Sequence, residues 1–278
     1  MVRAWLTRPT GSSRRRRPKI NESIAAQTST IGARQVNSAY HRRVALPTEL
    51  ATSTTRQLDG LSPGLLIPLG STEQHGPHLP LDTDTRIANA VAKSVAERLS
   101  EGWMLAPAIG YGASGEHEGF PGTVSIGTSA LQLLLVEFGR SASGWASRLV
   151  FVNGHGGNVA AVAAATETLC SEGREAAWCP CTVAGGDAHA GHTETSVLLH
   201  ISPEHVWVDD LVPGNEAPLR ELMPRMRTGG MAAVSPVGVL GNPTTSSAAD
   251  GARIFDEMVE GCVRRIGTWT PGGGGMLL

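Results

Sequence analysis

Glu73-Gln74-His75-Gly76-Pro77-His78, followed by Asp82 and Asp84, concentrates oxygen and imidazole donors in a loop bent by glycine and proline. That is the composition of a metal site. Carboxylate oxygens mixed with imidazole suit Zn, Mn or Fe(II), and the lack of neighbouring thiolates argues against a closed structural zinc site of the cysteine type. Two later loops carry the same kinds of donor: Asn153-Gly154-His155-Gly156-Gly157-Asn158 and Asp187-Ala188-His189-Ala190-Gly191-His192-Thr193-Glu194-Thr195. Of the nine histidines, six (His75, His78, His117, His155, His189, His192) fall in or beside such glycine-rich loops.

A site can be assembled from these residues. Glu73 and His75 are two apart and share a face in an extended stretch. Asp84 arrives after the turn, where its two oxygens can bridge two metals, and His155 and Glu194 complete the cage from the second and third loops. Three carboxylates against two divalent cations leave a residual charge of about +1, which lowers the pKa of a bound water and supplies a nucleophile near neutral pH. The expected chemistry is hydrolysis. Around this set His78 stands as a supporting residue, Asp82 either hydrogen-bonds a ligand histidine or caps a helix with Thr83, and His192 either orients Glu194 or caps a helix. Asn158 is placed to cap the helix after the second loop. The loop from Glu116 to Thr123 either lines a substrate mouth, with Phe120 as an aromatic face, or packs as a plain turn. Gly238 to Pro243 shapes a neighbouring loop or a subunit contact.

The elements that carry these loops alternate. Apolar runs at Leu65–Leu69, Leu149–Val152 and Ala176–Val183 are followed by helix-like segments at Ile87–Leu99, Val159–Cys170 and Thr195–His200, with further helices over Ser129–Arg148 and Ala248–Ile266. Strand, polar loop, helix, repeated, predicts a layered α/β fold with a mostly parallel central sheet, in which ligands sit at strand carboxyl ends.

A chain of 278 residues, 41% hydrophobic and 17% charged, suffices for one sizeable core. No run approaches the roughly 18 to 20 apolar residues of a membrane span. Four irregularly spaced cysteines (Cys170, Cys179, Cys181, Cys262) do not make a disulfide framework and point to reduced thiols in a cytoplasmic protein. The net charge of −2 hides a split, because residues 1–35 hold eight basic groups and one acid while the remainder carries 15 basic against 24 acidic. The head is read as a disordered basic extension rather than a transit peptide or nucleic-acid patch, and Val36 as a candidate true start. Arginine outnumbers lysine heavily, Lys19 and Lys93 being the two lysines, as in a GC-rich coding sequence. One domain over 36–268 follows, with 269–278 as a flexible glycine-rich tail.

The stretches Pro68 to Leu81, Asn153 to Asn158 and His189 to Thr195 resemble the creatininase family of metal-dependent amidohydrolases. The resemblance implies a three-layer α/β/α domain, two adjacent divalent metals, amide hydrolysis and assembly into a homo-oligomer such as a hexamer. It makes Glu73, His75, Asp84 and His155 ligands, with Asp84 bridging and His189 as the proton donor. Creatininase itself places a glutamate two positions after its equivalent of His155, where this chain has Gly157, so Glu194 is the expected fifth ligand and creatinine an unsuited substrate. Asn37 to Arg43, Tyr111 to His117, Trp178 to Cys181 and Gly185 to Thr195 are further similar to the family's mycofactocin branch. That likeness implies cleavage of a ribosomally made precursor peptide, releasing a crosslinked C-terminal Val-Tyr dipeptide. Two alternatives stand beside it: hydrolysis of a small cyclic amide or formamide, and a metal-stabilised binding protein without turnover.

Overall fold

Gly64–Leu69 forms the central strand β1, an apolar run in which all six residues are buried. A strand buried on both faces reads as a continuous hydrophobic run and belongs in a parallel sheet covered by helices on both sides. That is its setting in the computed structural model, which describes residues 48–99 and 102–278. A short helix α1 (Thr55–Leu58) precedes β1, and α2 (Thr83–Arg98), β2 (Trp103–Leu105), α3 (Thr128–Ala142) and β3 (Arg148–Asn153) follow it. The chain continues through α4 (Val159–Ser171), β4 (Ala176–Pro180), α5 (His192–Ile201), α6 (Leu219–Gly229) and α7 (Ala248–Thr268). The sheet order is β2-β1-β3-β4, every pairing parallel, with Leu69 opposite Asn153 and Asn153 opposite Pro180.

Alternation along the strands divides the core in two. Leu65, Ile67 and Leu69 pack with Phe151 and Trp178 against α3 and α4 through Leu131, Leu135, Val162 and Leu169. Leu66, Val150, Val152 and Cys179 face the other way, against Val91, Leu198, Met258 and Val259 of α2, α5 and α7. Helices, sheet, helices make the three expected layers. β2 and α6 had no signal in the apolar pattern: β2 has only three residues, and α6 contains Pro224 and buries only Leu222. The helix expected to reach Arg148 stops at Ala142, because Arg148 already opens β3.

The basic extension 1–35, the candidate start Val36 and the chain up to residue 47 lie outside the described residues. The segment 269–278 is not a loose tail. The Leu277 side chain is fully buried, its N–H donates to Trp178 O at 2.9 Å, and Gly274 O accepts from Trp178 Nε1 at 2.8 Å and from Thr166 Oγ1 at 2.7 Å. A buried leucine and shared backbone hydrogen bonds outweigh the flexibility that its glycines suggest. Cys179, Cys181 and Cys262 are buried free thiols at β4 and α7, and Cys170 is exposed.

Candidate metal centre

The sheet order reverses direction between β1 and β3, and the crevice at such a switch point is where α/β folds bind ligands. The loops after β1, β3 and β4 supply all the expected donors. Glu73 and His75 follow β1, Asp84 lies in the first turn of α2, His155 follows β3, His189 lies just before α5 and Glu194 in its first turn.

These side chains converge. Asp84 Oδ1 lies 3.1 Å from His75 Nε2, and Asp84 Oδ2 lies 3.1 Å from His155 Nδ1, so its two oxygens address two different histidines. Glu73 Oε2 is 3.1 Å from His155 Nε2, and Glu194 Oε2 is 3.9 Å from His75 Nε2. Three groups of donors lie close enough to share an ion: Glu73 with Asp84 and His155, His75 with His189 and Glu194, and Glu73 with His117 and His189.

The surroundings hold the donors in place. Ser71 Oγ donates to Asp84 at 2.7 Å, and the Ala190 N–H donates to Glu194 at 2.6 Å. His75 Nδ1 sits 3.0 Å from Glu73 O; a carbonyl only accepts, so Nδ1 carries a proton and Nε2 is the nitrogen turned to the centre. Asp187 accepts from the N–H groups of His192 and Thr193 and fixes the start of α5, whose first turn carries Glu194.

Both oxygens of Glu73 are buried without a hydrogen-bond partner. A buried, unpartnered carboxylate is costly unless a cation completes it. The donor set therefore fits divalent metal ions. The same demand shows in the proton balance of the ion-free site. Burial, reinforced by Asp84, pushes Glu73 up to about 7, and burial likewise raises Glu194 to about 7. Burial opposes charge on His75 and His155, yet Asp84 outweighs it and raises them to about 10 and about 9. Protons on these two imidazoles stand in for cations. Burial and the charge on His75 hold His189 well below its ordinary value and take His117 down to about 3.

Several side-chain roles differ from those read in the chain. Asp82 occupies the N-cap position of α2 without a capping side-chain hydrogen bond and pairs instead with Arg86 at 2.7 Å. Asn158 does not cap α4 through its side chain; it accepts from Ala113 N at 2.9 Å and donates to Gly70 O at 2.9 Å, tying three site loops together. His192 pairs with Thr245 Oγ1 at 2.9 Å, and His78 pairs with Thr195 Oγ1 at 2.8 Å. Phe120 packs with Leu222, Met231 and Val234. Two residues were passed over or left without a role: Gln74, between two donors, and His117, whose Nε2 lies 3.3 Å from Glu73 Oε1.

The creatininase family profile, described as creatinine amidohydrolase, matches residues 48–266. The chain belongs to the creatininase family. Within it, the mycofactocin precursor peptide peptidase of Mycolicibacterium smegmatis is 66% identical over 246 residues, 87% of this chain and 100% of that protein. The creatinine amidohydrolase of Pseudomonas putida is 30% identical over 238 residues, 73% of this chain and 86% of that one. A solved structure named creatininase Mn is 25% identical, with a TM-score of 0.67 over 81% of this chain and 99% of its own. As a member of this hydrolase family the chain is an enzyme of amide hydrolysis. A side chain at position 157 has no room here: a Cβ on Gly157 would meet Ala113 O at 2.3 Å, His155 Nε2 at 2.4 Å and Glu116 Oε1 at 2.7 Å.

Proposed function

We propose that the chain is a metal-dependent peptidase acting on a mycofactocin precursor peptide, releasing its crosslinked C-terminal Val-Tyr dipeptide. The identity to the Mycolicibacterium smegmatis peptidase, more than twice that to the creatinine amidohydrolase, carries the substrate class. The unpartnered Glu73 carboxylate at the meeting of Asp84 and His155 carries the metal dependence.

Glu73, Asp84 and His155 would hold one divalent ion and His75 and Glu194 a second, with Asp84 placed to serve both. Zn, Mn and Fe(II) all accept this donor set. When bound, the ions supply Lewis-acid polarisation of the scissile carbonyl and a water of lowered pKa. The chain's own residues do the rest. Asp84, fixed by Ser71, holds the two halves of the site in register. His189, buried beside Glu73 at 3.7 Å, passes a proton to the leaving amine, so the amide C–N bond breaks as the water oxygen joins the carbonyl carbon. Gly157 leaves no carboxylate at that position, in keeping with a substrate other than creatinine. The enzyme works in the cytoplasm as a homo-oligomer; among the described residues no helix is long and apolar enough to cross a membrane.

Incubation of the zinc-, manganese- or iron(II)-loaded protein with the crosslinked precursor peptide, read by mass spectrometry, yields the free C-terminal dipeptide. Turnover of creatinine or a formamide with the peptide left intact would refute the proposal. Metal uptake without turnover of any of them would point to the binding-protein alternative.

A further inference from the structure

Gln74 sits between two metal-facing residues and turns its own side chain into a buried cluster. Its Oε1 accepts from the Gly76 N–H at 2.9 Å, and its Nε2 lies 3.0 Å from Gly238 O, which only accepts. Those two contacts fix which end of the amide is which. The seat is closely built: Gly238 has φ +75°, and a Cβ there would meet Gln74 Oε1 at 1.9 Å.

The same amide nitrogen lies 2.8 Å from His117 Nδ1 and 3.0 Å from His189 Nε2. An amide has only two hydrogens. His189 Nε2 also lies 2.9 Å from the main-chain oxygen of Gln74, an acceptor, so the proton on that nitrogen belongs to His189. The two Gln74 hydrogens then go to Gly238 O and His117 Nδ1, and the Gln74 amide, Gln74 O, His117 Nδ1 and His189 Nε2 all find partners. Any other distribution leaves Gln74 O or His117 Nδ1 facing a group that cannot pair with it.

We infer that Gln74 holds His117 and His189 in the same Nε2–H tautomer but with opposite edges toward the centre. His117 thereby turns its N–H edge toward Glu73, Nε2 lying 3.3 Å from an Oε1 that has no hydrogen-bond partner, and His189 presents the bare Nδ1, 3.7 Å from the same oxygen. His117 is a positioning residue: its Nε2 edge lies against one oxygen of the Glu73 carboxylate while the other faces His155. His189 is the lone-pair side of the pair. A proton that it gives to the leaving amine is therefore one first taken from the attacking water, whose oxygen keeps the electron pair that forms the new C–O bond. This rests on the peptidase reading only in naming the leaving group; the tautomers are independent of substrate.

The test is a solid-state 15N spectrum of the full-length zinc-loaded protein with ring-labelled histidine, His117 and His189 being assigned by their loss in His117→Leu and His189→Ala. Protonated Nε2 on both rings supports the inference; Nδ1–H on either ring overturns it. Gln74→Glu, whose carboxylate can only accept, moves the His117 proton from Nε2 to Nδ1 and leaves that of His189 in place. An unchanged His117 signal in that folded variant refutes the role of Gln74. Should Gln74→Glu not fold, the unmodified protein's spectrum decides. On the peptide, His117→Leu lowers kcat about a hundredfold with KM little changed, and His117→Gln, which keeps an N–H at similar reach, recovers part of it. Full activity in His117→Leu would overturn the positioning role, whereas a correct spectrum with no peptide cleavage in any form would count against the substrate alone.

Discussion

Glu194 Oε2 stands 3.9 Å from His75 Nε2, joining the first turn of α5 to the loop after β1. The same carboxylate oxygen accepts from Ala190 N–H, whose residue adopts a left-handed φ of 51°, rare outside glycine. A strained turn whose N–H holds a half-buried carboxylate beside an imidazole nitrogen fits a ligand position. Glu194→Ala is expected to reduce bound metal from about two ions per chain to about one, since it removes one donor of a single site. Elemental analysis after dialysis checks this, and retention of both ions would exclude Glu194 as the fifth ligand.

Stability of the ion-free protein follows from its histidines. The folded-state values of His75 and His155, raised above 6.5 to about 10 and about 9, give stability that is full below 6.5 and is lost as pH rises through those values. Metal ions compete with the same protons, so their binding strengthens over the same range. The Tm of the metal-free protein therefore falls from neutral pH toward about 10, while that of the zinc-loaded protein holds. Thermal melts across this window check the sign; a metal-free Tm that rises would show that the two imidazoles are not the protonated groups.

Gly157 is held to glycine by its neighbours. Because a Cβ there would press on His155 Nε2 at 2.4 Å and on backbone at Ala113 O at 2.3 Å, Gly157→Ala must shift His155 or the 113–116 loop. A displacement of about 1 Å at a reacting centre costs up to about a hundredfold in rate. The variant is expected to lose kcat on the peptide with a near-native melting curve, and unchanged kcat would mean that the site accommodates the methyl.

Leu277→Ala tests the docked C-terminal segment. Its side chain is wholly buried against the sheet and helices, and removing such a leucine costs roughly 2 to 5 kcal/mol. Urea unfolding measures the loss. A change below about 0.5 kcal/mol, the range of surface substitutions, would return the segment to a loose tail.

The chain itself carried the donors and the strand–loop–helix repeats. Glu73, His75, Asp84, His155 and Glu194 each sit just after an apolar strand or at a helix start, and hydrophobic runs with glycine-rich breaks are local features that a linear pattern preserves. The tertiary structure decided what lies between them. Gln74 carried no sequence signal because its partners, His117 and Gly238, arrive from distant loops; Asp82 and Asn158 read as helix caps because a cap is the local use of such residues, while their side-chain partners are Arg86 in one case and Ala113 and Gly70 in the other. Periodicity and composition record which residues are buried or turned. Which nitrogen of His117 or His189 carries a proton depends on hydrogen-bond partners that only folding brings within 3 Å.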